Sequence, residues 1–296
     1  MMSRSIPASA RRLIAAFDTD LTPMGYAEVS RAILASDNES LKAALLASPA
    51  YRALQDARQI PDIRLAAHFP SARLYCRRRR ARRLLVGFTG RAFRLMMPLS
   101  ILLQSLPADT DLLTLLDPDH NQFRSGTFDG RTGLSELPDA LAPIMGRYRE
   151  VIALGVSSGG LPAIRFGILA GLPRAISVGG RRIDDTLRIL KGTAPKHAHD
   201  PICDCNRRTR CQTILLHPEL HADDSETVRS VAASIDSLTI PLRGSGDHLL
   251  MWTLYGMGRL EGFLDLFLDS RAPPERLAAF FRDLPPAPLA TASPWA

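Results

Sequence analysis

No apolar run in this 296-residue chain approaches the roughly 18 residues that would mark a membrane span. The N-terminal stretch MMSRSIPASARRLIAAF carries arginines but no continuous apolar core, which argues against a secretory signal. Cysteine is scarce. Four cysteines in a chain this long make no disulfide framework, and reduced thiols in a cytoplasmic setting are the expectation. Internal repeats and low-complexity tracts are also missing.

Aromatics are sparse at 6%, and none interleaves with the arginine run from Arg77 to Arg83. A platform for stacking single-stranded bases is therefore not encoded there. The net charge of +7 and this run read instead as the solvated end of a strand and its turn, and nucleic acid is not an expected partner.

Ordinary globular material is present. Apolar residues make up 46% of the chain and charged residues 23%, enough for a sizeable core without staples. Residues 1–61 read as a small helical appendage. Tyr26 to Ser36 and Ser40 to Gln59 carry Leu, Ala and Val at helical spacing, with a break at Pro49. From residue 62 the pattern changes. Ile63 to Phe69 and Ala72 to Arg78 read as a hairpin about Pro70-Ser71.

Strands and helices then alternate. Strands are expected at 84–88, 111–117, 150–155, 174–178, 211–217 and 238–242. Helices are expected at 93–106, 135–148, 161–170, 225–234 and 249–268. Such alternation predicts an α/β fold with a mostly parallel sheet covered on both faces, over residues 62–284. The tail 285–296, rich in proline and alanine, is expected to be loose.

The chemistry concentrates at Val151-Ile152-Ala153-Leu154-Gly155-Val156-Ser157-Ser158-Gly159-Gly160. An apolar strand runs into G-x-S-x-G, and a helix follows. The pentapeptide alone arises by chance in roughly one chain of this length in ten. Its placement between strand and helix gives it weight, because a serine on such a turn is held out for attack. The glycine spacing, with Gly155 and Gly159 as flanks, favours Ser157 over its neighbour Ser158 as nucleophile.

These residues resemble the α/β-hydrolase superfamily. The resemblance covers about residues 62–270 and implies a serine hydrolase or acyl-transfer enzyme with the chain order nucleophile, acid, histidine. Arg243-Gly244-Ser245-Gly246-Asp247-His248 is similar to the family's histidine loop, which makes His248 the expected base. For the acid, Asp224 comes first, then Asp223, then Glu219. Asp223 with Glu226 reads as a helix-capping pair, and no clean G-x-x-D signature precedes them. The resemblance also implies an oxyanion hole from the Ser158 N–H and the loop after the third strand, with Thr89 and Gly90 as candidates.

The family commonly inserts a cap where residues 181–210 lie. Here that segment is basic (Arg181, Arg182, Arg188, Lys191, Lys196, Arg207, Arg208, Arg210), which suits an anionic or polar substrate. His197, His199, Cys203, Cys205 and Cys211 fall nearby, but C-x-C-x5-C matches no standard zinc spacing, so no metal is expected. The chemistry asks for no cofactor, and its partner is a small acyl substrate. The competing expectation is a hydrolase-like scaffold that has lost activity and serves as an adaptor. The chain is also similar to hydrolase-like bacterial proteins linked to surface-polysaccharide synthesis.

Overall fold

A computed structural model describes residues 6–57, 60–182 and 211–287. Four helices open the chain: α1 (Ala8–Asp20), α2 (Pro23–Ala35), α3 (Glu39–Ala47) and α4 (Pro49–Asp56). Local chemistry sets their limits. Thr22 accepts from the Gly25 N–H and Asn38 from the Leu41 N–H, each capping the helix that follows. The break expected at Pro49 falls there. Ser48 ends α3 and caps α4, and Pro49 occupies the first turn, where its missing N–H costs nothing.

The strands are β1 (Ile63–Phe69), β2 (Ala72–Arg77), β3 (Arg83–Phe88), β4 (Thr110–Leu115), β5 (Glu150–Val156), β6 (Arg174–Val178), β7 (Gln212–Pro218) and β8 (Leu238–Leu242). They form one sheet in the order β1-β2-β4-β3-β5-β6-β7-β8. β2 runs antiparallel to both β1 and β4, and every other pair is parallel. The hairpin and the parallel strands thus join in a single layer.

Side chains alternate across that layer with the period of two that a strand imposes. Leu85, Leu112, Ile152, Leu154, Ile176 and Ile214 face one side. Ile14, Tyr26, Leu45 and Leu54 of the opening helices belong to the same buried cluster. So do residues of α5 (Leu99–Ser105), α9 (Leu250–Gly256), α10 (Leu260–Phe267) and α11 (Pro274–Arg282). Leu84, Val86, Phe88, Ala153 and Leu215 face the other side, under α6 (Leu137–Met145), α7 (Gly160–Leu169) and α8 (Ala222–Ala232).

Two expected helices are shorter than their apolar pattern suggests. In 93–106 the helix begins only at Leu99, because Pro98 before it is non-helical at ψ 138° and Phe93 and Met96 take positive φ. The stretch 249–268 is two helices. Gly258, at φ 66°, ends the first with paired bonds from the Gly258 N–H to Tyr255 O and from the Arg259 N–H to Leu254 O. Trimming at other ends is within a few residues, as where α6 covers 137–145 of the expected 135–148.

Arg77 and Arg83 serve the sheet rather than a ligand. Arg77 donates to the carbonyls of Leu106 and Thr110, and Arg83 pairs with Glu150 and Asp109, while Arg78, Arg79 and Arg80 are exposed in the turn. Among the described residues no helix is long and apolar enough to cross a membrane. The basic segment beyond Arg182, with His197, His199, Cys203 and Cys205, lies outside the described residues. Cys211 is buried against the sheet, and burial pushes its thiol up to about 12.

Candidate active site

Ser157 stands just past the C-terminal end of β5, in a short 3-10 turn that leads into α7. Its φ of 51° is the left-handed conformation that non-glycine residues rarely adopt. The flanking glycines permit the bend. A Cβ at Gly155 would run into the carbonyl oxygen of Gly159, and a Cβ at Gly159 into the carbonyl of Phe88. Any side chain at either position would push the strand-to-helix turn open.

Three side chains from three elements meet here. Ser157 Oγ lies 2.9 Å from His248 Nε2. His248 Nδ1 lies 2.6 Å from Asp224 Oδ2. With the carboxylate accepting from Nδ1–H, the other ring nitrogen carries a lone pair and takes the serine O–H. His248 sits on the loop after β8, and that loop is tied down. Glu219 Oε2 accepts from the Gly244 N–H at 2.7 Å, the Leu220 N–H donates to Ser245 O at 2.8 Å, and Asp247 caps the turn that follows. Gly179, after β6, lies against the imidazole.

Asp224 is in the first turn of α8 with a fully buried side chain. The capping pair expected of Asp223 and Glu226 does not form the cap. α8 starts at Ala222, and His221 caps it by accepting from the Asp224 N–H through Nδ1 at 3.4 Å. Asp223 is exposed in the same turn, and Glu219 serves the histidine loop instead. Of the three acids considered, the fold brings only Asp224 to His248.

The oxyanion candidates divide as well. Ser158 is the second residue of the 3-10 turn, where the first backbone donors of a helix have no intrahelical partner. Gly90 borders the nucleophile, since a Cβ there would lie 3.2 Å from Ser157 Cβ. Yet its N–H donates to Arg94 O at 3.0 Å, and the N–H of Thr89 donates to Leu115 O at 3.1 Å. Arg91, the next residue, lines the same cavity as Ser157.

That cavity, of about 270 Å³, is mostly apolar. Met96, Met97, Val156 and Leu249 line it beside Ser157 and His248. A larger cavity of about 480 Å³ lies among α1, α3 and α4, around Arg11, Asp18 and Ser48; it shares Arg94 with the Ser157 cavity but includes neither Ser157 nor His248.

The strand order, the bend at Ser157 and the chain order serine, aspartate, histidine decide the architecture. This is an α/β-hydrolase fold. No protein-family model matches the chain, and no curated protein matches its sequence. Solved α/β-hydrolase structures resemble it at low identity. One is described as a carboxylesterase from Nitrososphaera gargenis (13% identity, 69% of this chain and 98% of that one, TM-score 0.43). Another is a predicted CIB-like hydrolase from Thermoplasma acidophilum (13% identity, 75% and 100%, TM-score 0.41). A third is the capsule O-acetyltransferase of Neisseria meningitidis serogroup A (11% identity, 66% and 92%, TM-score 0.45). The fold assignment stands on the strand order and the elbow, not on these likenesses.

Several residues at this α/β-hydrolase site carry no sequence signature of their own. Gly179-Gly180 directly after an apolar strand was a readable signal of close approach. His221, Arg181 and Gln122 were not readable in these places, because only the folded loops bring His221 and Arg181 beside Asp224 and Gln122 against the Arg181 carbonyl.

Proposed function

We propose that this chain is a serine hydrolase of esterase, thioesterase or deacylase type, or an acyltransferase, working through Ser157, His248 and Asp224 on a small acyl substrate. The observation that carries the reading is the unbroken hydrogen-bonded series from Ser157 Oγ through both nitrogens of His248 to the buried Asp224. A scaffold kept only for docking has no need to hold three residues this far apart in sequence at bonding distance.

The mechanism follows from the geometry. His248 Nε2 takes the Ser157 proton as Oγ attacks the acyl carbonyl. Asp224 holds the imidazole in the tautomer that leaves Nε2 free, and it stabilises the imidazolium that forms. The oxyanion develops against backbone donors, for which the Ser158 N–H and the Arg91 N–H are assigned, since Thr89 and Gly90 already donate to carbonyls. The imidazolium then protonates the leaving group. Water, or another hydroxyl, attacks the acyl-serine with His248 again as base, which regenerates Ser157. The apolar cavity at Met96, Met97, Val156 and Leu249 receives the acyl group.

A fluorophosphonate probe tests this directly. Wild type is expected to label on one serine, and Ser157→Ala is expected not to label. Equal labelling of both proteins overturns the assignment. A screen of acyl esters and acetylated sugars, with Ser157→Ala as the control, then narrows the substrate.

A further inference from the structure

We infer that Arg181 is a positioning residue of the Ser157–His248–Asp224 site, bracing the second carboxylate oxygen of Asp224 and tying it to the nucleophile turn. The inference rests on the triad reading above. Asp224 Oδ2 is engaged by His248, but Oδ1 is buried and has no hydrogen-bond partner among the described residues. A buried acceptor left in that state is costly and demands an explanation. Arg181 Nε stands 3.7 Å from it, and that atom is also buried without a hydrogen bond. Two orphaned atoms of opposite charge thus face each other, and a small movement closes the gap.

The backbone of Arg181 places the guanidinium there. Its N–H donates to the carbonyl oxygen of Ser157 at 3.0 Å. Its own carbonyl accepts from Gln122 Nε2 at 3.0 Å, and the Gln122 N–H is held by Asp117 Oδ2 at 2.8 Å. Gln122 adopts φ 60°, a conformation that persists only where its surroundings enforce it. One residue therefore touches both the nucleophile's backbone and the acid's carboxylate.

Three other titratable groups face Asp224. They are His248, His221 with Nδ1 3.4 Å from Oδ1, and His217 on β7. His221 uses Nδ1 to accept the Asp224 N–H, which requires that nitrogen to be unprotonated. Arg181 is the permanently charged member of this set. Its positive charge offsets part of the carboxylate's pull on His248 and so disfavours charge on the imidazole. His248 must be uncharged to accept the serine proton. Removing the Arg181 charge should therefore move the acid limb of the reaction to higher pH.

The second-order rate of fluorophosphonate labelling, followed from pH 5 to 9, reads this limb without a known substrate. Arg181→Gln is expected to shift the limb upward by roughly one pH unit. It should also slow labelling on the plateau about tenfold by loosening Asp224. Arg181→Lys keeps the charge and should restore the limb. His221→Asn, which retains a capping side chain, should leave the limb in place. Gln122→Ala removes the anchor on the Arg181 carbonyl without changing any charge, and should slow labelling severalfold even if Arg181→Gln does not fold. An unmoved limb in Arg181→Gln, or wild-type labelling by Gln122→Ala, overturns the inference. Labelling that survives Ser157→Ala overturns the triad reading itself, so the two failures are distinguishable.

Discussion

His248 Nδ1 and Asp224 Oδ2 lie 2.6 Å apart, and Asp224 is fully buried while its neighbour Asp223 is exposed. Consecutive helical residues point about 100° apart, so the first turn of α8 can offer only one of the two to the imidazole. Asp224→Asn is expected to lower kcat by about 10⁴ through loss of the productive tautomer. Asp223→Asn should leave kcat within about twofold of wild type. Steady-state kinetics on an activated ester, read alongside thermal melting, check both.

The elbow tolerates nothing larger than glycine at position 155. Gly155→Ala places a methyl into the carbonyl of Gly159. Because the obstacle is backbone in the nucleophile turn, relief has to come from opening that turn. Stability should fall by about 3 kcal/mol and activity should be lost with it. Urea denaturation and probe labelling of the folded fraction separate the two effects.

Met97 is 2% exposed and lines the apolar cavity beside Ser157. Met97→Trp fills part of that space. Relative kcat/KM for long-chain over acetyl esters should then fall by roughly tenfold, the scale on which an apolar pocket discriminates chain length. A chain-length series of p-nitrophenyl esters measures it, and an unchanged ratio would show that the acyl group lies elsewhere.

Burial lowers the pKa of His217 below its ordinary value of 6.5, against a raising influence from its bond to Pro218 O and from Asp224 and Glu219. The unfolded chain protonates this residue first as pH falls. Its contribution to stability is therefore complete above about pH 6.5 and is lost as pH drops toward the folded-state value. His217→Gln should flatten the dependence of Tm on pH between 7.5 and 5. A Tm profile parallel to wild type would contradict this.

Arg174 is fully buried, and its guanidinium donates to the carbonyls of Phe267, Asp269 and Ala272 at 2.7–2.9 Å while Nε donates to Gln212 Oε1. It pins the α10–α11 connection to the edge of β6. Arg174→Met strands those carbonyls and should cost about 3 kcal/mol or more, seen as a lower denaturant midpoint. Hydrogen exchange should rise first in residues 260–282.

Periodicity and glycine spacing made much of this legible. The apolar strand into Gly155-Val156-Ser157-Ser158-Gly159 can form one kind of turn, and the turn dictates which hydroxyl is presented. The glycine-rich loop after the last strand likewise marked His248. Helix ends were less legible, because Pro98 and Gly258 act through local backbone geometry that apolar spacing does not record.

The sequence by itself determined the alternating layers and the two polar residues whose surroundings are local, Ser157 and His248. Tertiary structure alone decided which acid lies at His248, which backbone donors are already spent, and that Arg181 stands beside that acid with Gln122 on its carbonyl. Those choices depend on the orientation of α8 and on where the loops after β3, β4 and β6 come to rest. Such relations are set by packing between segments distant in the chain, and no local pattern of residues encodes them.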